Sequence, residues 1–335
     1  MQVMPSLKRN PSLSYSRLAR KNFIIYARNF KLKLGPQTKI MGVVNVTPDS
    51  FSADGVFMRY RNDMNRISDY AEELIADGAD MIDIGGESTR PGAKPVSETE
   101  EMKRVIPVIK HLSKKVKVPI SVDTYKEKVA QNALDNGASI INNIMGVTMK
   151  NSFLKMIRRY HASIVLMHLR GNPRTMQQHT AYRNLVKNII DALKMSIDRC
   201  LTAGILSNRI IIDPGIGFSK TSEQNLSLIR RLNEFSVLNQ PILIGTSRKS
   251  FIGEVLKKET NDRLLGTIAT VCASISHGAH IVRVHDVCPI KEIVLMMDAI
   301  YTSPAPRLGG APLSINPERK PRNRPGMSRR VYNAN

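Results

Sequence analysis

The stretch Arg209-Ile-Ile-Ile-Asp-Pro-Gly-Ile-Gly-Phe-Ser-Lys220 decides the fold. Its three consecutive isoleucines are β-branched and unrelieved by any polar residue, the pattern of a strand covered on both faces, most simply an inner strand of a parallel sheet. Asp213 stands where that strand ends. Pro214, Gly215 and Gly217 then force a tight turn in which few side chains shield the backbone, so that a ligand can approach closely. An Asp before Pro-Gly also commonly caps its own turn, so this stretch alone leaves both a structural and a functional role open for Asp213.

The same unit recurs along the chain. Buried-strand runs are read over residues 39–46, 79–84, 119–122, 139–142, 163–167, 241–245 and 279–284, making eight with the stretch above. Apolar residues at helical spacing predict helices over 64–77, 97–112, 126–136, 185–203 and 289–301, and Ser97-Glu-Thr-Glu100 has the pattern of a capping box. Strands alternating with helical segments call for parallel crossovers, and eight such units between residues 37 and 302 predict an α/β protein of the TIM (β/α)8 barrel class. Residues 23–34 alternate like a short N-terminal β-hairpin with Asn29 near its turn. The domains expected are a basic arm over 1–20, a barrel with its hairpin over 21–302, and a basic disordered tail over 303–335.

Polar residues fall where the predicted strands end: Asn45, Asp83 with Glu87, Asp123, Asn142, His168, Asp213, Lys249, and Arg283 with His285. One such residue is explained by a cap or a turn. Eight in succession are not, because a closed barrel brings all its strand ends to one rim and an open two-sided sheet would scatter them. Asp123, Asn142, Asp213 and Lys249 offer acceptors, an amide and a cation, a set that matches a flat heterocycle with amino and ring donors on one edge and a carbonyl on another, such as a guanine-like or pterin ring. Arg283 and His285, with Asn45 opposite, suit a phosphate or pyrophosphate, and the neutral oxygen of Asn45 is compatible with magnesium. Neither His168 nor His285 has a His or Cys partner at zinc-ligand spacing.

The net charge of +22 is concentrated at the ends. Lys8, Arg9, Arg17, Arg20, Lys21, Arg28, Lys31 and Lys33 all precede the first acidic residue, Asp49, and seven basic residues after residue 302 face only Glu318. Such arms are candidates for nucleic acid or an anionic membrane, but solvated arms on a mildly basic body are the reading favoured here. Cys200, Cys272 and Cys288 are odd in number and lack metal spacing, which points to a reducing compartment and a cytoplasmic protein. No run approaches the ~18 apolar residues of a membrane span. An Arg-rich, acid-free start also has the composition of an organelle transit peptide; the hairpin pattern at 23–34 argues against removal of that part.

The motifs resemble those of the dihydropteroate synthase family. Met41-Gly-Val-Val-Asn-Val-Thr-Pro-Asp-Ser-Phe51 is similar to its first signature, and Gly78-Ala-Asp-Met-Ile-Asp-Ile-Gly-Gly-Glu-Ser-Thr-Arg-Pro-Gly-Ala93 to its second. Ser121-Val-Asp-Thr124, Ile140-Ile-Asn142, Met167-His168 with Gly171, Asp213-Pro-Gly215, Gly245-Thr-Ser-Arg-Lys-Ser250 and Arg283-Val-His-Asp286 follow in family order. The resemblance implies condensation of 6-hydroxymethyl-7,8-dihydropterin pyrophosphate with 4-aminobenzoate, giving 7,8-dihydropteroate and pyrophosphate. It implies that Asp123, Asn142, Asp213 and Lys249 hold the pterin. It gives pyrophosphate to Asn45, Arg283 and His285, with magnesium on Asn45 as cofactor. Thr47, Phe51, Thr89, Arg90 and Pro91, on the loops after the first two strands, would meet the substrates, with Phe51, Thr89 and Pro91 around 4-aminobenzoate. Ser250 would receive its carboxylate. Asp123, Asp213, Lys249, Arg283 and His285 would carry the chemistry, sulfonamides would compete with 4-aminobenzoate, and the chain would form a homodimer through late barrel helices. Departures are Asn143 in place of a usual Asp near the pterin pocket, Tyr125 in place of a small residue, Ser219 in place of Gly, and Ser52-Ala-Asp-Gly55 in the first loop. A pterin-dependent methyltransferase domain shares the pterin residues but lacks the loop from Thr47 to Phe51 and the Arg283–His285 pair. An inactive paralogue acting through its basic arms is the remaining alternative.

Overall fold

A computed structural model of the chain describes residues 20–47, 64–88 and 93–303. The expectations for the arm before residue 20, for Phe51, Thr89, Arg90, Pro91 and the 52–55 departure, and for a disordered tail from 304 onward lie outside the described residues.

Strands β1 (Phe23–Ala27) and β2 (Phe30–Leu34) form the predicted hairpin, pairing Ala27 with Phe30 around Arg28 and Asn29. Eight further strands follow: β3 (Lys39–Asn45), β4 (Met81–Gly85), β5 (Ile120–Asp123), β6 (Ile140–Asn143), β7 (Ser163–Met167), β8 (Ile210–Asp213), β9 (Leu243–Ile244) and β10 (Ile281–Val284). They make one parallel sheet in the order β8-β7-β6-β5-β4-β3-β10-β9. A parallel bridge from Ile212 to Ile242 and the Ile212 amide on the Pro241 carbonyl (3.0 Å) join its two edges, so the ring closes. This is the (β/α)8 barrel.

Among the described residues the connecting helices are α1 (Met64–Ala76), α2 (Glu98–Lys115), α3 (Glu127–Asp135), α4 (Asn151–Arg159), α5 (Leu185–Thr202), α6 (Ser222–Arg230), α7 (Ser250–Leu256), α8 (Leu264–Ser276) and α9 (Val287–Thr302). Helices α4, α6, α7 and α8 have no counterpart among the helical spans read from the sequence; of these, α4 carries the least local signal. It is short and lacks a side-chain cap, and its apolar face is only Phe153, Leu154, Met156 and Ile157. The predicted capping box at the start of α2 is half formed: Ser97 accepts from the Glu100 amide, but Glu100 Oε1 turns to Arg104 Nε at 2.9 Å. A complete box stands instead at Thr221 and Gln224, opening α6.

Alternation along each strand sorts the side chains into two populations. Ile40, Val44, Ile82, Ile84, Ile120, Val122, Ile141, Ile164, Leu166, Ile210, Ile212, Val282 and Val284 pack outward with the helices. Met41, Met81, Ile140, Val165, Ile211, Leu243 and Ile281 face the interior near the strand starts, where Ile25, Ala27, Leu32 and Leu34 of the hairpin complete their cluster. The hairpin thereby plugs the N-terminal mouth. Arg209 Nη1 and Ser163 Oγ both donate to the Tyr26 carbonyl (2.7 and 3.0 Å), and Arg28 Nη1 donates to the carbonyls of Leu134 and Ala138. Arg20 is engaged with the body as well, bridging Asp298 (2.8 Å), Thr38 and the Ala279 carbonyl. With one mouth filled by apolar side chains, polar interior positions collect at the other.

Candidate active site

The inward parity that sends Met81 and Ile140 to the plug brings Asp83, Asp123, Asn142, Asp213 and Arg283 to the interior at the C-terminal end. Registration sets Asn45 beside Gly85, Gly85 beside Asp123, and Asp123 beside Asn142, a row across four strands. Gly85 leaves the row open: a Cβ there would come within 3.6 Å of both Asn45 Oδ1 and Asp123 Cβ.

Arg283 ties the row together. Its Nε donates to Asp83 Oδ2 at 2.6 Å and its Nη2 to Asp123 Oδ2 at 2.9 Å. Asp83 Oδ2 also accepts from Asn142 Nδ2 (2.9 Å), whereas Asp83 Oδ1 and the neighbouring Ser121 Oγ are buried without a hydrogen-bond partner. Burial pushes the Asp123 carboxyl up to about 7, against the pull of Arg283 and with the Asp83 charge adding to the rise. A cationic or donor-rich ligand edge would favour its charged form.

The stretch after β8 supplies the opposite wall. Asp213 Oδ1 accepts from the Gly215 amide at 2.7 Å. Gly215 has φ +73°, and a Cβ on it would stand 2.1 Å from the His168 carbonyl oxygen; Gly217, at φ +81°, has Lys249 Cδ 2.8 Å from where its Cβ would be. The turn needs glycine at both positions because of handedness and because of contact. Lys249 packs over the Phe218 ring (4.6 Å to its centroid) and donates to the Ile216 carbonyl. Burial lowers its ammonium to about 8, opposed by the Asp213 charge. Burial raises the Asp213 carboxyl, with Lys249 the chief opposing influence.

Beneath this turn lies Lys220, whose Nζ reaches the carbonyls of Gly215 and Phe218 (both 2.8 Å) and His168 Nδ1 (3.2 Å). Burial drives the Lys220 ammonium well below its ordinary value and His168 down to about 2, so the imidazole is neutral. His168 is accordingly a partner of the lysine that braces the turn. Ser219, at φ +52°, holds the loop after β7 by accepting from the Arg170 amide (2.8 Å) and donating to its carbonyl (3.0 Å).

A cavity of about 400 Å³ opens at this end, lined by Asn45, Thr47, Asp123, Lys249, Ser250, Arg283 and His285 among the residues given a binding role from sequence. Asn142 and Asp213 are not in its lining; the first is turned to Asp83 and the second to the Gly215 amide. His285 Nδ1 lies 3.0 Å from Ser247 Oγ. The lining also contains Glu87, Phe218, Ser247, Arg248 and Arg263, none of which was assigned a binding role from sequence. Glu87 Oε1 accepts from Tyr125 Oη (2.8 Å) and Oε2 from the Val96 amide (3.0 Å), while Lys126 Nζ joins Glu87 to the buried Glu101. Tyr125 is therefore a partner of the cavity wall. Asn143, read as removing a charge near the pocket, is instead turned away from the interior: its Oδ1 accepts from the Met145 amide at 2.8 Å and its Nδ2 reaches toward the Thr124 carbonyl. Alternation puts it on the opposite face from Asn142.

Among the described residues no group of three or more His, Cys, Asp or Glu side chains forms a metal nest, and no helix is long and apolar enough to cross a membrane. Asn45 would be a single neutral oxygen ligand, which fits magnesium completing its shell with phosphate and water oxygens and would not hold the ion without them.

Comparison with known proteins matches residues 41–285 to the family described as pterin binding enzyme. The dihydropteroate synthase of Bacillus subtilis is 45% identical over 277 residues, covering 83% of this chain and 93% of its own length, and that of Synechocystis is 44% identical over 268 residues, covering 80% and 91%. Among solved structures, the Yersinia pestis dihydropteroate synthase in complex with a sulfonamide drug superimposes with a TM-score of 0.79 at 36% identity, covering 84% of this chain and all of that one. The Xanthomonas albilineans synthase with 4-aminobenzoic acid gives 0.77 at 34%, covering 85% and all of its chain.

Proposed function

The chain belongs to the dihydropteroate synthase family of pterin-binding enzymes, which are transferases, and from that premise we propose how its own residues carry out the condensation of 6-hydroxymethyl-7,8-dihydropterin pyrophosphate with 4-aminobenzoate. The observation that carries the reading is the Asp83–Arg283–Asp123 bridge at the wall of a cavity whose lining also holds Asn45, Lys249 and His285.

The pterin edge is read by Asp123, Asn142 and Asp213, with Lys249 supplying the cationic donor. Asn45, Arg283 and His285 take the pyrophosphate. As the methylene–oxygen bond breaks, positive character develops on the methylene and its electron-rich ring while negative charge collects on the departing pyrophosphate. The carboxylates of Asp123 and Asp213 stabilise the first and Arg283 with His285 the second, because charges fixed in advance need no reorganisation when the transition state forms. The aromatic amine nitrogen then bonds to the methylene carbon, and its proton leaves to water or to the released pyrophosphate. Magnesium, held by Asn45 and the substrate, would add Lewis-acid neutralisation of the leaving group. Thr47, Phe51, Thr89, Arg90 and Pro91 are assigned to the substrates on sequence grounds, and Ser250, first residue of α7, to the 4-aminobenzoate carboxylate.

The same reading places the protein in the cytoplasm as a homodimer acting on small molecules, with no role for nucleic acid or membrane. Three free cysteines support the first part. The test is incubation of the purified full chain with both substrates and magnesium. Stoichiometric release of pyrophosphate and dihydropteroate is expected, with sulfonamides competing against 4-aminobenzoate; transfer of a methyl group to a corrinoid, with no pyrophosphate released, would overturn it.

A further inference from the structure

Residue 219 is a position where the chain departs from its family, with serine in place of glycine, and that serine does something a glycine cannot. Ser219 is fully buried, with φ +52°. A left-handed backbone suits glycine and is disfavoured for serine. The hydroxyl offsets that cost by meeting both backbone polar groups of one distant residue: Oγ accepts from the Arg170 amide at 2.8 Å and donates to the Arg170 carbonyl at 3.0 Å.

The segments tied in this way are two loops of the same cavity wall. Phe218, which precedes Ser219 in the turn after β8, lines the cavity, and so does Met176 in the loop after β7 that begins near Arg170. Tyr182, toward the far end of that loop, donates from Oη to the Ser219 carbonyl at 3.1 Å. The Arg170 guanidinium lies 3.9 Å over the Tyr182 ring and donates to the Ala181 carbonyl at 2.7 Å. Both ends of the loop therefore close on residue 219. On the cavity side, the Lys249 ammonium rests 4.6 Å from the centroid of the Phe218 ring.

Resting on the synthase reading above, we propose that Ser219 is a positioning residue for the pterin substrate: its hydroxyl joins the loop after β7 to the turn after β8, so that Met176 and Phe218 stand as one wall and Lys249 keeps its place on the Phe218 ring. Ser219 is itself buried and outside the cavity lining, so it acts through these neighbours. Without the hydroxyl the two loops are no longer ordered in advance, and ordering them on binding draws on the free energy of substrate binding. That cost raises KM and leaves the bond-breaking step itself unchanged.

Two substitutions separate the hydroxyl from the backbone strain. Ser219→Ala removes the hydroxyl and keeps a side chain in the left-handed region, whereas Ser219→Gly removes both hydroxyl and strain. Pyrophosphate release at saturating 4-aminobenzoate and magnesium should show KM for the dihydropterin pyrophosphate raised about five- to tenfold in both, with kcat within about twofold, because each loses the same two neutral hydrogen bonds. Urea unfolding should tell them apart, with the higher midpoint for Ser219→Gly. Trypsin gives a readout independent of activity: Arg174, exposed within the loop after β7, should be cut faster in both variants. Tyr182→Phe, which removes the third tie, should shift KM and cleavage in the same direction by less. If Ser219→Ala does not fold, Ser219→Gly carries the test. A KM that Ser219→Gly leaves at the parent value, a loss confined to kcat, or unchanged cleavage at Arg174 in folded variants would overturn the proposal. Failure of the unmodified chain to release pyrophosphate with 4-aminobenzoate would instead overturn the synthase reading, and the trypsin comparison would then decide the loop tie by itself.

Discussion

Replacing Asp83 by Asn separates charge from shape at the centre of the site. The side chain is fully buried, and its Oδ2 accepts from Arg283 Nε and Asn142 Nδ2 while Oδ1 has no partner. An asparagine keeps the volume, and its one oxygen can serve both donors; its amide nitrogen falls where Oδ1 was already unsatisfied. What is lost is the charge on the bond to Arg283. Hydrogen bonds to charged groups contribute roughly 1.5–3 kcal/mol and neutral ones roughly 0.5–1.5, so the anchoring of Arg283 should weaken by about 1–2 kcal/mol. If that anchoring presents Arg283 to pyrophosphate, kcat/KM for the pterin substrate should fall by a factor of about 5–30. A second effect runs through Asp123, whose carboxyl is held up at about 7 partly by the Asp83 charge. Removing that charge lowers the Asp123 value, so the acid limb of the profile of kcat/KM against pH should move to lower pH. The assay is pyrophosphate release between about pH 5 and 9 at subsaturating pterin substrate. An acid limb that stays in place or moves upward, or a kcat/KM unchanged in Asp83→Asn, would show that the bridge does not govern the site.

Asp123→Asn tests the same burial through stability. The folded chain keeps a proton on Asp123 up to about 7, above the ordinary 3.8, so between those values it binds more protons than the unfolded chain and stability falls as pH rises. The variant should match the parent near pH 4 and gain on it toward neutrality; denaturant midpoints with no such divergence would contradict this. Lys126→Met strands the carboxylates of Glu87 and Glu101, whose side chains are only 7% and 1% exposed, and should cost about 3–5 kcal/mol in urea unfolding. A loss of about 1 kcal/mol or less would mean the pair behaves as a surface bridge. Gly215→Ala forces a side chain into a left-handed conformation 2.1 Å from a backbone oxygen, so pyrophosphate release should collapse while far-ultraviolet circular dichroism is retained; normal activity would show the turn is not what aligns Asp213.

Much of the site was legible because barrel topology turns sequence position into spatial position. Asn45, Asp123 and Arg283 each end a buried run or lie within one residue of its end, so strand reading sufficed to bring them to one rim. Asp83 was read onto the same rim but given no role, because nothing local distinguishes it from a structural carboxylate, although its inward parity with Met81 is visible in Met-Ile-Asp. Asn143 was misread for the converse reason. It neighbours Asn142, and in a strand adjacent residues face opposite ways. Helix α4 escaped because a single short apolar face without a cap barely differs from a loop.

Repetition of apolar runs, their polar termini and the glycines of the 209–220 turn are local properties, so the chain's order of residues was enough to specify a barrel, the mouth where its polar residues gather and the family to which it belongs. Which charges neutralise one another was decided only in three dimensions. Arg283 meets Asp83 across 200 positions of chain, Lys220 finds His168 beneath a turn, and Arg263 donates to the Lys258 and Arg248 carbonyls, because partner choice depends on side-chain reach and burial after the ring has closed.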